Sequence, residues 1–181
     1  MDKLEKIFNK NNHSSLILFK DLICSEIKSF NKDFDKDLSN LHKFIKIEDI
    51  NSLRINAFTK LNKDLDWKKL IFELIEKEIT NLLGQDLLIQ SKLNLSIQMP
   101  NDKTSLLPAH SDCWSADSPF QLNLWIPLTN AYSTNSMFIL TPDMTIDLMN
   151  KVKENITKPL EIDDSNVKEE HFVDLKFGEI L

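Results

Sequence analysis

His110 and Asp112 stand two residues apart in the segment LLPAHSDCW. In an extended chain positions i and i+2 point to the same side, so the imidazole and the carboxylate converge on one point. Such a pair is two thirds of the facial triad that holds non-haem Fe(II) while leaving positions open for substrate and oxygen. Nitrogen and oxygen donors suit Fe(II). Cys24 and Cys113 lack CxxC spacing, so neither a thiolate zinc site nor a disulfide framework is expected. The same tripeptide in a loop serves equally well to cap a turn or to hydrogen-bond locally, and the spacing alone does not choose between the two.

The elements that must position this pair change character along the chain. From Asp66, an expected N-cap, DWKKLIFELIEKEITNLLG sets Trp67, Leu70, Ile71, Leu74, Ile75, Ile79, Leu82 and Leu83 on one apolar stripe, and Gly84 stands where a helix stops. A similar rhythm predicts a helix from Ser14 to Phe30. Between the two, NKDFDKDLSNLHKFIKIEDINSLR reads as loop with short helices. Beyond Gln90 the period becomes two: Leu93, Leu95, Ile97 and Met99 alternate with Asn94, Ser96 and Gln98. QLNLWIPL alternates again, and SMFILTP and HFVDLKFGEIL are further strand candidates. The fold class expected is therefore α+β: one domain over residues 1–181, with a helical part (1–88) packed on a C-terminal unit of short antiparallel strands (89–181).

Composition narrows the function. The chain has 181 residues, with 22 Lys and Arg against 28 Asp and Glu, for a net charge of −6. That balance argues against a nucleic acid partner. No apolar run is long enough for a membrane span, no signal peptide is evident, and a reducing cytoplasm is the expected location. Arg54 is the sole arginine, so any mechanism that needs a guanidinium fork for a carboxylate has one candidate.

From SKLNLSIQMPND through LLPAHSD, SPFQLNLWIPL and SMFIL to the late FGEIL, residues 90 to 181 resemble the Fe(II)- and 2-oxoglutarate-dependent oxygenases of the phytanoyl-CoA hydroxylase type. They are most similar to a branch found in carbohydrate-biosynthesis clusters. The resemblance implies a double-stranded β-helix, or jelly roll, with His110 and Asp112 as iron ligands and 2-oxoglutarate as cosubstrate. The family's third ligand, a histidine, and its cosubstrate arginine both follow the strand that here reads KFGEIL. The chain ends at Leu181, so both positions are missing and the barrel is expected to be incomplete at its last strands. The resemblance also implies that the position of Asn135 often carries a lysine able to pair with the cosubstrate carboxylate, and here an asparagine removes that charge.

Gln98 and Asn123, on the polar faces of two expected strands, are the candidates for cofactor contact, together with Asn94, Ser96 and Gln121; the solvated side of a sheet accounts for them equally. Trp114 is the candidate for stacking on a sugar-like substrate, and Trp125 for the core. His171, the only other histidine of the C-terminal half, reaches the metal if the strand order differs from the family's and otherwise reads as a loop or surface residue at a strand start; His13, His42 and Arg54 read as surface, loop or packing residues. Three functions stay open. The first is an oxygenase acting on a small carbohydrate-derived metabolite. The second is a non-catalytic, truncated jelly-roll protein that binds a ligand or partner and pairs its exposed edge in a homodimer. The third is another metal-dependent enzyme of related barrel shape.

Overall fold

Helix α1 (Ser14–Phe30) begins where His13 accepts a hydrogen bond on Nδ1 from the Ser15 N–H at 3.3 Å. The computed structural model describes residues 7–10, 13–102, 106–107, 110–112, 118, 120–154 and 167–181. The chain divides into two compact units, Met1–Leu106 with Gly178–Leu181, and Leu107–Phe177.

In the first unit α1 buries Leu16, Phe19, Ile23 and Ile27, and it packs against both α3 (Ile50–Lys63) and α4 (Trp67–Leu83). Helix α4 starts with Asp66 accepting from the Lys69 N–H and ends at Gly84, whose φ of 91° is readily available only to glycine. Its stripe is covered at Trp67, Ile71, Leu74 and Ile75, whereas Leu82 and Leu83 in the last turn are exposed. The short helix α2 (Leu41–Phe44) is tied to the end of α1 by Asn31 Nδ2, which donates to the Phe44 carbonyl at 2.9 Å. Helix α3 lies partly in and partly beyond the stretch expected as loop. Ile50, Leu53, Ala57 and Leu61 form its buried face at helical spacing, a signal masked by the many Asn and Lys between them.

The segment 93–99 alternates in burial as expected: Leu93, Leu95 and Ile97 are half-buried, Met99 is buried, and Asn94, Ser96 and Gln98 are exposed. It forms no strand. Its backbone is held by α3 side chains instead. Asn62 accepts from the Leu93 N–H at 2.7 Å and donates to the Leu93 carbonyl at 2.9 Å, while Arg54 Nε donates to the Ile97 carbonyl at 2.8 Å. The spacing explains the match, because eight helical residues rise about 12 Å and four extended residues about 13 Å. Arg54 Nη2 also meets the buried Asp102 carboxylate at 2.8 Å.

The jelly roll expected from the sequence is not formed among the described residues. Their only sheet has two strands, β1 (Phe8–Asn9) and β2 (Glu179–Ile180), paired antiparallel with Phe8 opposite Ile180. The FGEIL segment thus pairs, through Glu179–Ile180, with the N-terminal β1 and with no barrel strand among the described residues. In the second unit the residues of SMFIL and HFVDL do run antiparallel. They meet at one isolated bridge, Phe138 with Phe172, and a second bridge joins Ala131, five residues before SMFIL, to Leu175. QLNLWIPL joins no ladder among the described residues, and α5 (Pro142–Glu154) begins where SMFILTP was expected to finish as a strand. Thr141 caps α5 by accepting from the Met144 N–H, followed by Pro142 at the first helical position. Alternation specifies which side chains face inward but not which backbone lies alongside, so it is satisfied here without a barrel. No helix among the described residues is long and apolar enough to cross a membrane.

Two predictions follow from these contacts. Arg54→Ala removes the guanidinium from the buried Asp102 carboxylate and should lower unfolding free energy by about 3 kcal/mol in urea titration, whereas Arg54→Ala/Asp102→Ala should recover part of that loss. The Lys10 hydrogen bond holds Glu78 below its ordinary pKa of 4.5. The Ser39 hydroxyl and N–H hold Asp37 below 3.8. Both stabilise the fold above those values and cease to do so as pH falls through the lowered ones. The hydrogen bond to Glu26 raises Lys60 above 10.5, so its contribution is present below that pH and lost above it. The urea midpoint should therefore fall at both ends of the pH range, and Glu78→Gln should flatten the acid limb.

Candidate metal centre

The second unit brings His110 and Asp112 together, with Nε2 3.4 Å from Oδ1. Two donors each about 2.1 Å from one ion and this far apart subtend an angle near 110°, which a divalent transition metal accommodates. Their side chains are 45% and 32% exposed, so an ion reaches them from solvent.

The other carboxylate oxygen is held separately. Gln121 Nε2 donates to Asp112 Oδ2 at 3.1 Å, and Asn123 Nδ2 donates to the same oxygen. Gln121 and Asn123 are two apart in sequence and both amides reach this one oxygen, while Leu124 and Ile126 beyond them are half-buried. With Oδ2 occupied by two amides, Oδ1 is the oxygen turned to the imidazole. Outer hydrogen bonds of this kind fix the orientation of a ligating carboxylate. Among the described residues, no group of three or more His, Cys, Asp or Glu side chains that could hold a metal ion is present.

Several of the remaining candidates from the sequence make local contacts. Gln98 belongs to the first unit, where its side chain is exposed on the polar side of residues 93–99. His171 closes a 3₁₀ turn over Glu169–His171, its Nδ1 accepting from the Lys168 N–H at 3.0 Å. His13 caps α1, His42 lies on α2, and Arg54 is engaged by Asp102 and the Ile97 carbonyl. Asn135 accepts from the Tyr132 N–H at 2.6 Å and so closes a turn of its own. Trp125 is half-buried, and Trp114 lies outside the described residues. Sequence reasoning placed Gln121 and Asn123 on a polar face without linking them to Asp112. The signal was the second i, i+2 polar pair following the first.

Removing either amide frees Asp112 to rotate. Asn123→Ala and Gln121→Ala should each weaken Co(II) or Fe(II) binding roughly 10- to 100-fold in anaerobic calorimetric titration, with little change in thermal melting of the metal-free protein. No family model matches this chain, and no curated protein and no solved structure matches it.

Proposed function

We propose that the chain is an Fe(II)- and 2-oxoglutarate-dependent oxygenase related to the phytanoyl-CoA hydroxylase type, acting in the cytoplasm on a small carbohydrate-derived metabolite. The observation that carries this reading is the convergence of His110 Nε2 and Asp112 Oδ1, with the second carboxylate oxygen held by Gln121 and Asn123. The donor types fit Fe(II), and they number two among the described residues. With dioxygen as the oxidant, bound Fe(II) and 2-oxoglutarate would supply the chemistry that replaces a substrate C–H by C–OH, one oxygen atom going to the substrate and the other to the succinate formed with release of CO2.

The chain's own residues bind and orient. His110 offers a ring nitrogen, which must be unprotonated to ligate, so loading weakens in acid. Asp112 offers Oδ1, and its direction is set by the amides of Gln121 and Asn123. Trp114, two residues beyond Asp112 in sequence, is the stacking residue this reading assigns to the substrate.

One observation favours a second reading, a non-catalytic relative that binds a ligand. The sole arginine is engaged by Asp102 and the Ile97 carbonyl, so the guanidinium that would pair a cosubstrate carboxylate is otherwise occupied.

The two readings separate in one experiment. Anaerobically reconstituted protein, exposed to oxygen with 2-oxoglutarate, should form succinate in an Fe(II)-dependent reaction that His110→Ala and Asp112→Ala abolish. Metal retention without succinate would leave the binding reading, and absence of both would sink the oxygenase.

A further inference from the structure

The chain has a single tyrosine, Tyr132, whose side of the second unit carries a groove of about 400 Å³. That volume lies within the usual range for small-molecule sites, roughly 300–1,000 Å³. Tyr132 is 56% exposed, and Phe172 also lines the groove. The polar lining includes Asn130, Glu169, Asp174 and Lys176.

The frame around the groove is tied at several points. Ala131 and Leu175 exchange backbone hydrogen bonds at 2.8 and 2.9 Å, and the Phe177 N–H donates to Asn130 Oδ1 at 2.9 Å. That bond orients the Asn130 amide and leaves Nδ2 as the donor it can offer a ligand. On the other side of Tyr132, Ser136 Oγ donates to the Val173 carbonyl at 2.6 Å. The backbone carrying the ring is itself fixed. Its N–H donates to Asn135 Oδ1, and Ser133, which follows it, is held at a φ of 46°, a left-handed conformation that non-glycine residues seldom adopt.

We infer that this groove is a binding site for an uncharged saccharide ring. An exposed aromatic face suits the C–H face of a pyranose, and the surrounding carboxylates, amide and ammonium suit hydroxyls that both donate and accept. A purely apolar ligand would leave Glu169, Asp174 and Lys176 without polar contacts to it. An anionic ligand would meet two carboxylates against one ammonium. The site involves none of the residues of the His110–Asp112 pair, and its occupancy is read without iron or 2-oxoglutarate. Its failure and that of the oxygenase reading are therefore separate results.

Because the chain has one tyrosine, ring-labelled ¹³C-tyrosine reports on this site alone. The labelled protein is titrated to about 50 mM with the methyl glycosides of glucose, galactose and N-acetylglucosamine, and separately with glucose 1-phosphate. At least one glycoside should shift the Tyr132 ring signals saturably in the millimolar range, and the phosphate should bind at least about tenfold more weakly than that glycoside. Saturation transfer to the glycoside should disappear in Tyr132→Ala and persist within about threefold affinity in Tyr132→Phe, with thermal melts showing both variants folded. Three results would overturn the inference: no saturable shift with any glycoside, tighter binding of the phosphate, or wild-type binding by folded Tyr132→Ala.

Discussion

The first unit depends on the burial of one helical face. Leu16, Phe19, Ile23 and Ile27 of α1 are removed from water against α3 and α4, each contributing on the order of 2 kcal/mol before chain entropy is set against it. Once Leu53, Ala57 and Leu61 turn α3 towards this core, the neighbouring positions Arg54 and Asn62 fall on a side where they can meet extended chain. The segment 93–102 is then held by a helix's side chains, where a sheet would have supplied a strand. Arg54 and Asn62 satisfy its backbone at Ile97 and Leu93, and the intervening alternation keeps the apolar residues inward.

Charge in this unit is placed with the same economy. The chain carries 22 basic residues against 28 acidic ones, and a single one of the basic residues is an arginine. Arg54 neutralises Asp102, Lys60 joins α3 to the buried Glu26 of α1, and Lys10 meets Glu78 of α4. These pairs involve at least one poorly exposed partner, and each links segments distant in sequence. The guanidinium is therefore a structural clasp, with a direct consequence for function: a carboxylate-bearing cosubstrate would have to be recognised by other groups.

The second unit puts chemistry on irregular chain, where local spacing counts for more than sheet architecture. Two successive i, i+2 pairs, His110 with Asp112 and Gln121 with Asn123, meet at one carboxylate. The groove beside Tyr132 arises differently, from chain segments about 40 residues apart brought together at the Ala131–Leu175 bridge. No local pattern announces it.

That difference in range accounts for what could be read in advance. Helices α1 and α4, with the Asp66 cap and the Gly84 stop, were legible because helical hydrogen bonds join residues four apart and their signals lie within the segment itself. The cap of α5 at Thr141 and Pro142 was equally local but stood next to an apolar run of strand character, and α3 was obscured by its polar residues. The facing of residues 93–99 also followed from spacing. Strand partners did not, because a ladder needs a second backbone edge whose identity is set by distant chain. Here β1 pairs with β2, while Arg54 and Asn62 occupy backbone groups that a neighbouring strand would have used. Spacing in the sequence determines which side chains share a face, and only the tertiary structure decides what that face meets, because the meeting depends on backbone groups brought from elsewhere in the chain.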